Sequence, residues 1–327
     1  LRSLFMAGTA TSRTALDLEP HRAALTGHCY RMRGSAVDAD DAVQETMVRA
    51  WRALDRFDGR SSLRTWLYRI ATNVCLDSLS SRNRRALPMD FGPASPPVAE
   101  SLGEPRSEAT WIQPMPDGEL LPPTADPADL AVQKDSVRLA FIAALQHLPP
   151  RQRVVLILRE VLRWSAAEVA ELLETTVASV NSALQRARAT LVEIDPDAER
   201  TTGPMDDAQK TLLDDYVKAF TSYDIDALVQ LLRKDATASM PPFALWLDGR
   251  DDIAAWHLGP GHACRGSRLV PLEVNGSPAF AAYKLDPDGS HLPFSVQVLD
   301  LDGDRIGRIT YFLDTSLFDR FGLPPQL

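Results

Sequence analysis

The chain has 327 residues, 45% of them hydrophobic and 24% charged, with a formal net charge of -9; this exceeds the usual size of one domain and excludes wholesale disorder. Three well-separated cysteines, Cys29, Cys75 and Cys264, exclude a disulfide framework or a cysteine-rich zinc module and suit a reducing cytoplasm. No apolar run reaches the roughly 20 residues that cross a bilayer, and Leu1-Arg2-Ser3-Leu4-Phe5-Met6 is too short for a secretory apolar region, so a cytoplasmic protein without a membrane is expected.

The charge is unevenly spread. Residues 1–86 hold 14 arginines against 9 acids, and 87–133 hold one arginine against 8 acids. Residues 134–192 hold 8 basic and 5 acidic side chains, whereas 193–327 hold 12 and 22. Two basic blocks separated by an acidic stretch and followed by an acidic module suggest two nucleic-acid-facing pieces with something attached.

In chain order, Asp38 is placed to cap a helix through about Leu54, with Val43, Met47, Ala50, Trp51 and Leu54 as its apolar positions. After the turn Phe57-Asp58-Gly59-Arg60, Ser61 or Ser62 caps a second helix, whose stripe is Leu63, Trp66, Leu67, Ile70, Ala71 and Val74. It ends in the basic run Arg82-Asn83-Arg84-Arg85. Ten prolines between Pro88 and Pro127 predict an extended, semi-rigid linker, on which Trp111 and Ile112 form the strong apolar pair, suited to docking on a neighbour.

Four helices follow. The first lies near Ser136–His147, and the second starts at Pro150 and buries Val154, Val155, Ile157, Leu158 and Val161. Ser165-Ala166-Ala167-Glu168 has the form of a capping box and opens a short helix to Leu173; after Glu174-Thr175 a longer one runs from Val177 to about Leu191. Short helix, tight turn, longer helix with Arg186 and Arg188 is the outline of a helix-turn-helix. A second boundary falls near Asp195-Pro196 to Gly203-Pro204. Beyond Met205, the stripe Leu212, Leu213, Tyr216, Val217 and Phe220 and the segment Ala227–Leu232 read as helices. Leu269–Val274, Ala279–Leu285, Phe294–Leu301 and Arg305–Leu313 then alternate with period 2 between turn signals, which predicts a few helices packed on a curved antiparallel sheet.

The segments Asp38-Ala39-Asp40-Asp41-Ala42-Val43-Gln44-Glu45-Thr46, Arg49-Ala50-Trp51 and Phe57 through Asn73 resemble region 2 of bacterial sigma-70-type initiation factors of the extracytoplasmic-function group. Leu148-Pro149-Pro150-Arg151-Gln152-Arg153 through Ser165-Ala166-Ala167-Glu168 to Val180–Arg188 resembles region 4. The tail is similar to SnoaL/NTF2-like domains through its element order and the segment Pro241–His257. The resemblance implies a multidomain chain: sigma region 2 at 15–86, a Pro-rich acidic linker at 87–133, the region 4 helix-turn-helix at 134–192, and an α+β NTF2-like cone at 205–327. It implies a non-enzymatic factor that directs RNA polymerase core to promoters and helps melt DNA. Its partners would be the beta-prime clamp and beta flap of the core, promoter DNA, and a small-molecule ligand or regulatory protein at the tail.

On this resemblance Asp40, Asp41, Gln44, Glu45, Arg49 and Arg52 would meet the polymerase. Asp58, Arg60, Ser61, Arg64, Trp66, Arg69 and Asn73 would capture unstacked -10 bases, where aromatic and cationic surfaces offset the few kcal/mol of unstacking; Trp66 shares the apolar stripe and is equally readable as core. Ser179, Asn181, Ser182, Gln185 and Arg186 offer hydrogen-bonding groups to -35 base edges, and Arg188 to phosphate, with Val180, Ala183, Leu184 and Ala187 inward. Glu174 stands where relatives often carry glycine, which costs about 1 kcal/mol if its φ is positive. In the tail, Phe243, Trp246, Trp256 and His257 would line a pocket. His257, Asp248 and Asp251 are the candidates for catalysis, but a filled cone with a satisfied histidine is the favoured reading. No metal or cofactor is expected, since His262, His291 and Cys264 have no partners at ligand spacing. The rivals are a SnoaL-like isomerase, cyclase or hydrolase with a DNA-binding front end, and a simple helix-turn-helix regulator.

Overall fold

The computed structural model describes residues 17–79, 84–121, 127–194 and 205–327. Arg82 and Asn83 of the basic run, the prolines Pro122 and Pro123, and the boundary from Asp195 to Pro204 lie outside the described residues.

Among the described residues the first module, expected as region 2, has three α-helices. α1 (Arg22–Arg33) ends at Gly34 with φ of 66°, α2 spans Ala36–Ala53 and α3 spans Leu63–Leu79. The cap of α2 is Ser35, whose Oγ accepts from the Asp38 amide at 3.1 Å, and Asp38 lies one turn inside. Asp38 is instead held by Arg33 at 3.3 Å and Arg85 at 3.0 Å, so it ties the start of the linker to α1. Ser62 caps α3 as expected, accepting from the Thr65 amide at 3.0 Å. Trp51 leaves the expected stripe: it is 66% exposed, because α2 packs on α1 and α3 through Ala39, Val43 and Ala50.

The linker is packed down rather than stretched. Trp111, Ile112, Met115, Leu120 and Leu121 are buried, and α4 (Asp117–Leu120) is a single turn against α1. Prolines stop long elements from forming, yet the apolar side chains between them still seek a core.

The helix expected near Ser136–His147 is α6 (Leu139–Gln146), and a further helix, α5 (Pro127–Asp135), precedes it where linker was expected. α7 (Pro150–Leu156) runs on through a wider turn at Ile157–Val161. α8 (Ala166–Leu172) opens with the complete capping box, Ser165 accepting from the Glu168 amide while Glu168 accepts from the Ser165 amide. α9 (Val177–Ile194) buries Val180, Leu184, Ala187 and Leu191.

The tail begins with α10 (Asp207–Ser222), capped by Asp206, and α11 (Ile225–Leu231), capped by Asp224. It continues through β1 (Leu232–Ser239), β2 (Trp246–Asp248), α12 (Arg250–Leu258), β3 (Arg268–Val274), β4 (Ser277–Leu285), β5 (His291–Asp302), β6 (Arg305–Phe312) and the short α13 (Leu317–Arg320). The sheet order is β2-β1-β6-β5-β4-β3. Neighbours are antiparallel except β1 and β6, which run parallel, so the sheet is mixed and not purely antiparallel.

Each strand face has its own core. Phe280, Leu299, Ile309 and Tyr311 pack with Tyr216, Phe220, Leu228 and Trp256 from the helices. Alternate residues Ala279, Ala281, Tyr283, Val296, Val298 and Phe312 belong to the apolar cluster that contains the cores of regions 2 and 4. The period of two thus places one side of the sheet in the cone and the other against the helical modules.

Candidate nucleic-acid interface

Asp40, Asp41, Gln44, Glu45, Arg49 and Arg52 all lie exposed on one side of α2. Arg49 bonds Glu45 at 2.6 Å and lies 3.6 Å from Asp77, so part of the face is internally paired. Asp40 is already engaged: Arg320 of α13 donates to it at 2.9 Å and also bonds Glu119 of α4. This contact spans 280 residues of sequence.

The second set surrounds the start of α3. Asp58 and Arg60 form an exposed ion pair at 2.8 Å, and Ser61 is half-buried. Trp66 is half-buried, packs on the regional core and lies obliquely on Phe57 with centroids 5.1 Å apart. Arg64 projects over the Tyr68 ring at 5.6 Å, and Asn73 is exposed. Arg69 meets Glu171 of α8 at 3.3 Å.

On α9, Ser179, Asn181, Ser182, Gln185, Arg186 and Arg188 are exposed, opposite the buried Val180, Leu184 and Ala187. Ser179 is partly used in capping, since Thr176 donates to its hydroxyl at 3.1 Å. Arg188 pairs with Glu160 at 2.6 Å. Glu174 has the positive φ, 51°, that its position in the tight turn required.

These three surfaces do not lie on an open scaffold. Regions 2 and 4 are clamped by buried arginines: Arg31 of α1 donates to Ser136 Oγ at 2.8 and 3.0 Å, and Arg153 of α7 bonds the Met32 carbonyl and Gln146. Neither has a carboxylate partner among these bonds, and burial pulls both down to about 10. Tyr68 also faces Trp164 across the modules, with centroids 5.4 Å apart.

A single side chain from the tail completes the joint. Asn275 and Gly276, at φ of 55° and 68°, form the turn between β3 and β4. The Asn275 amide nitrogen donates to Tyr30 Oη of region 2 and to the Val137 carbonyl of region 4, both at 2.7 Å. Its oxygen accepts from the Met115 amide of the linker at 2.9 Å. Gly276 donates to Asp117 Oδ1 at 2.7 Å, and a Cβ there would stand 2.4 Å from the Lys134 carbonyl oxygen. Sequence reasoning read Asn275-Gly276 as a hairpin turn and missed the joint, because nothing local distinguishes a solvated turn from one inserted into another domain.

The tail's expected pocket is not assembled as predicted. Trp256 and His257 are buried in the cone and Phe243 is half-buried against the same core, but Trp246 faces the linker, donating to the Gly92 carbonyl at 3.0 Å. Asp248 and Asp251 are exposed, outside any apolar surround. His257 is held neutral by burial, at about 4, with Tyr311 Oη 3.4 Å from Nε2.

Residues 18–85 match the family model described as Sigma-70 region 2, and residues 138–191 match that described as Sigma-70, region 4. The chain is 47% identical over 312 residues to the ECF RNA polymerase sigma factor SigG of Mycobacterium tuberculosis, spanning 94% of this chain and 83% of that protein. It is 32% identical over 163 residues to the ECF RNA polymerase sigma factor SigW of Bacillus subtilis, spanning 50% of this chain and 78% of the relative. The crystal structure of the Mycobacterium tuberculosis extracytoplasmic function sigma factor SigJ superposes with a TM-score of 0.63 at 21% identity, covering 94% of this chain and 98% of that one, a likeness of fold. No helix among the described residues is long and apolar enough to cross a membrane.

Proposed function

The chain belongs to the extracytoplasmic-function RNA polymerase sigma factors, and we propose that it works through the three surfaces above, with the tail as a built-in restraint. As a sigma factor it binds RNA polymerase core and promoter DNA. The observation that carries the assignment is the presence of both region models, in order, on one chain that is 47% identical to such a factor over nearly all its length.

In this reading Asp40, Asp41, Gln44, Glu45, Arg49 and Arg52 engage the beta-prime clamp, and region 4 engages the beta flap while α9 enters the -35 major groove. Asn181, Gln185 and Arg186 read base edges, and Arg188 neutralises a phosphate after leaving Glu160. Phe57 and Trp66 offer stacking faces to unstacked -10 bases; Arg60, Arg64 and Arg69 hold the backbone and Asn73 reaches a base edge.

The folded chain is the resting form. Elements centred near -10 and -35 are some 25 base pairs apart, roughly 85 Å at 3.4 Å per pair. The structure holds Arg69 of the -10 surface 3.3 Å from Glu171 of the -35 module, so the modules separate before both elements are read at once. Arg320 meanwhile covers Asp40. Polymerase competes for the same carboxylate and thereby selects the open form, a shift that requires only differential affinity for the two states. The tail is assigned no catalysis: His257 is buried and held neutral, and the candidate aspartates Asp248 and Asp251 are exposed. Core binding by anisotropy tests the reading. Asp40→Ala weakens association, while Arg320→Ala tightens it and leaves promoter choice unchanged; weaker binding with Arg320→Ala would mean the tail acts as an added polymerase contact.

A further inference from the structure

The interior of the cone is filled by its own side chains: Tyr216, Phe220, His257 and Tyr311 are each no more than 5% exposed. The open volume lies beside it. A cavity of about 650 Å³ runs along the seam between the tail, through α10 and the β3–β4 hairpin, and region 4, through α5 and Arg138. That is within the range of sites that enclose drug-sized molecules. Its wall is mainly apolar, with Leu130, Leu213, Val217, Leu272, Phe280 and Leu301.

Most of the charges around it face an opposite charge nearby. Lys134 stands 3.9 Å from Asp117 and 4.0 Å from Glu273, Arg138 is 3.6 Å from Asp135, and Lys210 is 2.8 Å from Asp207. A charged ligand would have to break one of these pairs, whereas an uncharged one leaves them intact. Two buried polar atoms of the wall make no hydrogen bond among the described residues: Arg138 Nε, and Asp117 Oδ2, which Lys134 approaches only to 3.9 Å. Asp117 is 6% exposed and its Oδ1 takes the Gly276 amide. Burial raises the pKa of this carboxyl, the expected response to an incompletely solvated charge.

We propose that this seam is a binding site for an uncharged small molecule with an apolar body and one hydrogen-bond donor, the donor meeting Asp117. The site is separate from the polymerase- and DNA-facing surfaces and does not depend on their assignment. Asp117, Gly276 and Lys134 belong both to the cavity wall and to the joint around Asn275. A molecule touching both walls binds the docked arrangement and not the separated one, so its presence holds the chain closed.

The test titrates the full chain with the uncharged fluorescent dye 2-naphthol, an apolar body with one hydroxyl donor, and maps hydrogen exchange with and without it. The proposal expects one saturable site, with added protection in 130–138, 209–217 and 271–280. Leu213→Trp, which fills the cavity, weakens the dye at least tenfold, while Leu258→Trp on the exposed end of α12 leaves it unchanged. Val217→Trp substitutes if the first variant does not fold by circular dichroism, and the exchange map needs no variant. Absence of saturation, protection falling outside these three segments, or unchanged affinity in the filled variants would each overturn the site.

Discussion

Asn275 satisfies three polar groups that belong to three other parts of the chain, so its removal is costly out of proportion to its size. Asn275→Ala leaves Tyr30 Oη, the Met115 amide and the Val137 carbonyl each short of a partner away from water. At about 1–3 kcal/mol for each buried unsatisfied group, a total loss of at least about 2 kcal/mol is expected even after local relaxation. Urea unfolding measures it, and a loss below about 0.5 kcal/mol would show that the joint is wet and unimportant. Protons provide a second residue-scale handle. His28 and His257 are held neutral by burial, at about 3 and about 4 against 6.5 for a free side chain. Below pH 6.5 the unfolded chain takes up a proton at each, while the folded chain refuses until far lower pH, so stability falls as pH falls through 6.5 toward 4. Each contributes about 2 kcal/mol of that loss at pH 5. His257→Leu is expected to remove about half of the difference in urea stability between pH 7.5 and pH 5; an unchanged difference would contradict the burial argument. At this scale the sequence misled in one respect. Arg31, Arg33, Arg85 and Arg153 were counted as nucleic-acid-facing charge, and all four are buried in joints. Composition counts charges without saying which of them reach water.

At the scale of elements, what was legible is what local chemistry decides. The capping box at Ser165, the apolar stripe of α9 and the four strands β3 to β6 fall where their patterns put them, since capping and periodicity act over a few residues. β1 was hidden because Leu232-Arg233-Lys234-Asp235 carries three charges at the start of a strand, and its parallel partner β6 lies some 70 residues on. Trp51 falls on the expected stripe yet does not join the core, because periodicity alone does not say which apolar positions the neighbouring helices cover. Of the candidate site, the exposed residues of α2, α3 and α9 were legible, whereas the ion pairs that occupy Asp40 and Arg69 were not, since both partners come from distant chain. Glu174 offers an element-scale prediction. Its φ of 51° strains a residue with a side chain, so Glu174→Gly relieves the turn between α8 and α9 by up to about 1 kcal/mol. A raised thermal midpoint with unchanged -35 selectivity is expected, and a lowered one would mean that the Glu174 side chain holds the turn.

For the whole molecule, the tail is more than an appendage. One face of its sheet shares an apolar cluster with both helical modules, and its last short helix carries Arg320 to Asp40. The acidic tail therefore docks by buried apolar area first and by charge second. Exposed ion pairs of this kind contribute about 0–1 kcal/mol and are screened by salt, while the apolar seam is not. Raising salt from 0.05 to 0.5 M is accordingly expected to loosen the Arg320 contact while leaving the chain compact in small-angle scattering. Expansion to separated domains at high salt would show that charge holds the tail. The most direct test of the central claim is run-off transcription from promoter fragments with purified core polymerase and the full chain. The account predicts discrete, promoter-dependent transcripts that core alone does not make, increased by Arg320→Ala and lost with Asp40→Ala. Tight sequence-specific binding to duplex DNA without core, with no transcripts when core is added, would contradict it.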